Sequence, residues 1–251
     1  MAMAQSNCPI TRLLAYHISV LLILNARSNY FRAVATKEST RSAPSERRRP
    51  RRPGQRPRGE RNRSTRIEIL KSAAAQFRRL GYHGATVEQI AAALQMKKGN
   101  LYYYFRNKEE ILFACHQYSL DRLLELLNEV ETSPVSADEK LRRLIVACVH
   151  TMLDELHGTA LLLDLEALSP GHLKTVIVGR DRFDQGIRQV IEEGIRTSAF
   201  GACDTKLLSF AILGAVNWIP RWFDPGGPAS SQEIADRFAD YLIAGLRRSS
   251  A

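Results

Sequence analysis

Residues 86–108 read TVEQIAAALQMKKGNLYYYFRNK, and the spacing of apolar side chains along this stretch decides the fold. Thr86 followed by Gln89 is a capping box, in which the hydroxyl satisfies one orphan helix amide while the Gln side chain reaches back to another. A short helix is predicted to start there, with Val87, Ile90, Ala91 and Leu94 recurring on one apolar face. A second short helix follows, and Met96, Leu101 and Phe105 are its inward residues because they share a face. That leaves Lys97, Lys98, Asn100, Tyr103 and Tyr104 pointing out. Ammonium groups suit phosphates, an amide can pair bidentately with a base edge, and phenols offer hydroxyls to phosphate and ring faces to thymine methyls. Two short helices with a tight turn, the second polar and cationic, describe a helix-turn-helix.

Gly99 lies within the second helix at a cost of about 1 kcal/mol relative to alanine, and its missing side chain lets another backbone approach closely. Asn107 with Glu110 makes a further capping box and starts the next helix. Lys108 then falls in a first turn, where a phosphate meets both an ammonium and unpaired amides.

The run KKGNLYYYFRNKEEIL, residues 97–112, preceded by TVEQIAAAL, resembles the DNA-binding signature of the TetR family of one-component bacterial repressors. The glycine, the leucine-tyrosine pair, the phenylalanine and the lysine-glutamate-glutamate run stand at family spacing, and the likeness covers roughly residues 63 to 125. With it the expected DNA-facing set becomes Thr86, Lys97, Lys98, Asn100, Tyr102, Tyr103, Tyr104 and Lys108. Gln95 departs from the pattern, lying where the family usually has glycine. The turn must therefore accept a left-handed glutamine or bend differently.

Charge is distributed unevenly along the 251 residues. Residues 1–62 hold 13 Lys and Arg against 3 Asp and Glu, residues 63–108 hold 9 against 2, and residues 109–251 hold 14 against 21. A basic arm and a basic reading head on an acidic body is the asymmetry expected of a polyanion binder. Cys8, Cys115, Cys148 and Cys203 form no CxxC pair, so zinc and redox motifs are unsupported and reduced thiols in a cytoplasmic protein are expected. No run of eighteen apolar residues occurs, and no membrane span is expected.

The expected organisation is a basic extension over 1–62 without packed structure, a helix-turn-helix head over 63–108 and an all-α ligand-binding and dimerisation body over 109–251. Within the extension, LLAYHISVLLIL at 13–24 is a weak secretory-type window; a nonessential extension or an over-long start is the alternative. Residues 41–63 are arginine-rich and proline-broken, a composition that cannot bury enough surface to order itself. They read either as an arm along phosphates or the minor groove, or as a solvated leader. In the head, Thr65 with Glu68 is expected to cap a helix with Ile67, Leu70, Ala74 and Phe77 inward, stopped by Gly81. The helix begun at Asn107 runs on to near Glu131 as a rod joining head to body.

From Ser133 every segment reads as helix. Ser136 with Glu139, Asp204, and Ser230 with Glu233 are start signals, and residues 172–197 form a long charged helix. Ile234, Phe238, Tyr241, Leu242 and Leu246 recur at steps of three and four on the last helix, which suits either core packing or a homodimer surface. The resemblance implies the second, in a four-helix bundle, because a head reading half a palindrome needs a twin.

The segment NWIPRWFDPGGP, residues 217–228, carries Arg221 between two tryptophans. An arginine on a core-facing helix must meet a carboxylate such as Asp164 or Glu166, reach solvent or hold an anionic ligand. The same segment resembles the carboxy-terminal part of TetR-type regulators of fatty-acid and steroid breakdown, whose effectors are acyl-coenzyme A thioesters. That likeness implies a pocket walled by Leu144, Cys148, Met152, Leu162, Phe183, Ile187 and Phe210, with Asn217 and Trp218 beside them and Arg221 or Arg180 on the charged part. Helical spacing alone assigns most of these to the core. No cofactor or metal is expected, and no enzyme: His150, His157 and His172 lack ligand spacing and no nucleophile has a visible partner. The readings left are a repressor released by a small-molecule effector, of acyl-CoA or another hydrophobic class, and a nonspecific DNA-coating protein.

Overall fold

The computed structural model describes residues 58–155 and 164–247, excepting the side chains of 58–61, 154 and 155. The window at 13–24, the arginine-rich run up to residue 57, Cys8, His157 and Leu162 lie outside that description. The described residues are all-helical, with one isolated bridge between Phe200 and Arg247.

Helix α1 spans Arg58–Gly84, α2 Val87–Ala93, α3 Lys98–Tyr102 and α4 Lys108–Thr132. The start of α1 corrects the sequence reading: Thr65 lies well inside the helix and caps nothing. Pro57 is the last breaker before it, and RGERNRS contains nothing that stops a helix from beginning at once. The inward stripe is also shifted, with Ile69, Leu70, Ala73, Ala74 and Phe77 buried and Ile67 half-buried. Gly81 does break the regular geometry, at φ 71°, and a last kinked turn carries the helix on to Gly84.

The Thr86–Gln89 box is fully made, Gln89 N–H donating to Thr86 Oγ1 at 3.2 Å and Thr86 N–H to Gln89 Oε1 at 2.9 Å. Gln95 takes the left-handed conformation, φ 54°. Met96 N–H donates to Ala91 O and Gln95 N–H to Ala92 O, the paired bonds that close a helix through a left-handed residue. So the turn keeps its tight form with a side chain where glycine is easier, at roughly 1 kcal/mol of strain. At the start of α4, Asn107 Oδ1 accepts from Glu110 N–H, but Glu110 Oε2 accepts from Arg106 N–H, so the second bond lands one residue earlier than a capping box requires.

The body contains α5 (Ala137–His150), a π turn (Thr151–Glu155), a 3-10 turn (Leu165–Ala167), α6 (Pro170–Arg196), α7 (Thr205–Trp218), a 3-10 turn (Ile219–Arg221) and α8 (Ser231–Ala244). Helix α6 begins at Pro170, capped by Ser169, because proline suits a first turn whose amide has no partner to lose. Leu120 and Leu127 of α4 face Gly179 and Gly186 of α6, where an added methyl would overlap the leucine ends. Both pairs are seven residues apart, so the two helices stay in close contact over successive turns. Ion pairs tie α5 to its neighbours: buried Lys140 to Glu193 at 2.9 Å, and Arg142 to Asp236 at 3.0 Å and to Asp240.

Among the described residues, buried apolar side chains gather in two clusters. One gathers α1 to α3 around Phe77, Leu101 and Phe105, with Ile111, Leu112 and Cys115 of α4 and Leu168 and Val176 from the far side of the sequence. The other holds Leu127, Leu141, Leu144, Ile145, Phe183, Ile187, Ile212, Val216 and Ile234 among its members. Helices α4 and α6 contribute to both.

Candidate nucleic-acid interface and effector core

The second short helix is positioned by what it buries. Leu101 and Phe105 are 0% and 1% exposed, and Arg66 of α1 lies 4.2 Å over the Phe105 ring while donating to Tyr104 O. With those residues fixed inward, Lys97, Lys98, Gly99, Asn100, Tyr102 and Tyr103 are exposed and Tyr104 is half-buried. Tyr103, 67% exposed, meets Tyr104 edge to face at 5.1 Å. A methyl placed on Gly99 would meet nothing within 4 Å, so no contact among the described residues calls for glycine there.

Thr86, Lys98 and Lys108, all expected on this face, have partners within the chain. Thr86 is the N-cap of α2. Lys98 pairs with Glu88 of α2 and lies over the Tyr102 ring. Their hydrogen bond draws the Glu88 carboxyl below its ordinary value and raises the Lys98 ammonium. Lys108 Nζ donates to Tyr82 O at 2.7 Å and Ala85 O at 2.9 Å and sits 4.3 Å over the Tyr82 ring. These bonds tie the kinked end of α1 to the start of α4, and residue spacing carried no sign of them.

Next to Lys108, Glu109 faces the body. Its Oε1 accepts from Ser169 N–H at 2.8 Å and lies 2.8 Å from His172 Nδ1, and the His172 ring stacks on Phe113 at 3.8 Å. Burial works to raise the Glu109 carboxyl, but the Ser169 amide and the His172 contact outweigh it and hold it below the ordinary value. Asp164 accepts from Tyr82 N–H at 3.3 Å. Thus the segment entering α6 is bonded to the head through both Glu109 and Tyr82.

The expected pocket residues divide. Leu144, Cys148, Met152, Phe183 and Ile187 are brought together in the body's core, and burial pushes the Cys148 thiol up to about 12. Phe210 is half-buried at one side, with Arg188 at 5.3 Å and Lys206 at 5.9 Å from its ring. Asn217 is half-buried, but Trp218 and Arg221 are exposed, so this end of the segment does not face the core as the sequence suggested. A 3-10 turn with Pro220 in its first turn follows Trp218, with Ile219 buried and Arg221 exposed. Trp222 stacks on Phe238 of α8 at 6.0 Å. On α8 Ile234 is buried within the subunit and Tyr241 is 70% exposed, while Phe238 and Leu242, with Leu246 just past the helix end, lie half-buried against the core.

Arg180, on α6, lies close enough to His116 of α4 for its charge to act on the imidazole. Burial first, and then that charge, push His116 down to about 3. Among the described residues no group of three His, Cys, Asp or Glu is arranged to hold a metal ion, and no helix is long and apolar enough to cross a membrane.

Residues 69–115 match the family model for bacterial regulatory proteins of the tetR family, and residues 134–246 match a tetracyclin repressor-like C-terminal domain. The HTH-type transcriptional repressor KstR2 of Mycobacterium tuberculosis is 26% identical over 189 residues, 74% of this chain and 94% of its own. The TetR family regulator PfmR from Thermus thermophilus shares 31% identity and a TM-score of 0.65, over 72% of this chain and 99% of its own. AibR, solved with isovaleryl coenzyme A and operator DNA, is 25% identical with a TM-score of 0.62, over 72% and 97%. A helix-turn-helix with its polar face outward, a helical body and these matches over both parts lead to one assignment: the chain belongs to the TetR family of bacterial transcriptional regulators.

Proposed function

We propose that the protein is a dimeric, sequence-specific repressor whose grip on a palindromic operator is released by a small-molecule effector of the acyl-coenzyme A class. The observation that carries the DNA reading is the outward face of α3, where Lys97, Asn100 and Tyr103 are exposed around a glycine that no contact among the described residues explains. Asn100 reads a base edge, Lys97, Lys98, Tyr102, Tyr103 and Tyr104 meet phosphates and methyls, and Thr86 and the start of α4 at Lys108 present amides and an ammonium to the backbone. A phosphate approaching Lys98 competes with Glu88 for it.

Dimerisation is supported by the apolar side chains left on α7, α8 and the turn between them: Leu207, Trp218, Trp222 and Tyr241 are all large and exposed, beside half-buried Phe238, Leu242 and Leu246. Two copies joined there would hold their heads about 34 Å apart, matching successive major grooves. The effector reading is supported by AibR's isovaleryl coenzyme A and by the gathering of Cys148, Met152, Phe183 and Ile187. The coenzyme's anionic part suits Arg221 at the exposed edge, and Arg180 is the cation at the inner side.

The test is selection from a random duplex library by the purified chain, followed by competition. A specific repressor selects a palindrome and resists about a thousandfold excess of unrelated duplex. Loss of binding to a few equivalents of competitor instead assigns a DNA-coating role. Adding CoA thioesters of five to sixteen carbons to the selected complex then asks whether any of them releases it.

A further inference from the structure

His116 and Ser119 stand one turn apart on α4, 0% and 1% exposed, and neither ring nitrogen of His116 nor the hydroxyl of Ser119 has a hydrogen-bond partner among the described residues. Buried polar atoms are nearly always paired, because an orphan loses its water without gaining a partner. Three such atoms within one turn therefore call for a further partner. Building on the effector reading above, we propose that His116 and Ser119 form a polar subsite that takes a carbonyl or carboxylate oxygen at the acyl end of the effector.

The chemistry of the groups selects an oxygen acceptor. A neutral imidazole has one N–H to give and a hydroxyl one O–H, so two of the three atoms can donate to a single oxygen while the second ring nitrogen is left as an acceptor, and the nearby charge of Arg180 favours a negative or partly negative oxygen over a cation. Farther along, the same helix meets apolar side chains. The π turn Thr151–Glu155 packs against α4 and follows directly on the part of α5 that carries Cys148, and Met152 within it belongs to the apolar core. Single π turns of this kind recur at functional sites. Position gives the subsite its consequence. His116 is eight residues along α4 from Lys108, about 12 Å, so the effector's oxygen would grip the same helix whose first residue is bonded to the head.

The experiment measures binding to the full chain, by thermal shift and by release of the selected duplex, for three matched probe series of five, eight, twelve and sixteen carbons: acyl-CoA thioesters, S-alkyl-CoA thioethers without the carbonyl, and free carboxylates. The expected result is that the best thioester binds at least tenfold more tightly than its thioether, and that this preference disappears in His116→Leu and in Ser119→Ala. Both variants should still bind the selected duplex without probe. If a free carboxylate shows the same dependence on the two residues, the oxygen comes from a free acid and the subsite stands. Equal binding of thioester and thioether, or a preference that survives both substitutions, overturns the subsite while leaving an acyl-CoA effector in place. Failure of every probe to bind overturns both. Should His116→Leu not fold, Ser119→Ala decides the outcome.

Discussion

Glu109, in the first turn of α4, holds His172, in the first turn of α6, at 2.8 Å, and the same carboxylate oxygen accepts the Ser169 amide that precedes α6. One side chain thus joins the starts of two helices that leave the head side by side. Glu109→Gln should lower the melting temperature at pH 7 by a few degrees, about 1 kcal/mol after allowance for partial exposure. The carboxyl is held below its ordinary value of 4.5, so its contribution is present above that pH and lost as pH falls through the lower folded value. Melting curves of the two proteins should therefore converge in acid; a constant gap down to the lowest pH would contradict the assignment.

The buried imidazole of His116 also costs stability in acid, by a different route and at a higher pH. It stays neutral in the fold, titrating at about 3, whereas in the unfolded chain it takes a proton near 6.5. Stability is thus lost as pH falls below about 6.5, reaching about 2 kcal/mol by pH 5. Because His116→Leu has nothing to protonate, its melting temperature should fall less between pH 7 and pH 5, by about 4–8 °C in a domain of this size.

Where α4 crosses α6, packing leaves no room for one more carbon. Gly186→Ala should cost about 1–3 kcal/mol, because the new methyl meets both terminal methyls of Leu127. Urea denaturation of Gly186→Ala, Leu127→Ala and the double variant should show the double less destabilised than the two singles added together. Strict additivity would mean that the two residues do not share this contact.

On the reading face, two neighbours should fail differently. Asn100→Ala should lose about 1–3 kcal/mol of discrimination at one base position of the selected duplex while leaving nonspecific binding nearly intact. Tyr103→Phe removes a hydroxyl and should weaken all duplexes alike, by about 0.5–1.5 kcal/mol. Anisotropy titrations against the selected duplex and single-base variants separate the two outcomes.

Lys108→Met should harm the head before any DNA is added, since it deprives the Tyr82 and Ala85 carbonyls of their donor. A loss of about 1–3 kcal/mol is expected from denaturant curves.

What the sequence made legible was local. The Thr86–Gln89 and Ser230–Glu233 boxes are made as spacing predicted, and the inward set Leu101 and Phe105 follows from helical period alone. The same signal misled at Thr65, because a box pattern has no meaning inside a helix that has already begun. Periodicity also could not divide the α8 stripe, since Ile234 turned into its own subunit and Tyr241 turned to solvent obey the same steps of three and four. Beyond reach altogether were contacts between distant residues: Lys108 on the Tyr82 carbonyl, Glu109 on His172, and Leu168 and Val176 in the head's cluster. Nothing in a linear pattern announces which side chains will meet after the chain has turned back on itself.

That last arrangement bears on how the protein comes apart. Leu168 and Val176 complete the cluster around Phe77, while Phe183 and Ile187, farther along the same helix, anchor the other. Heat that melts one cluster strips cover from its neighbour, so a calorimeter should record a single endotherm for residues 58–247, and a protease cutting between α4 and α5 should release no head that survives alone.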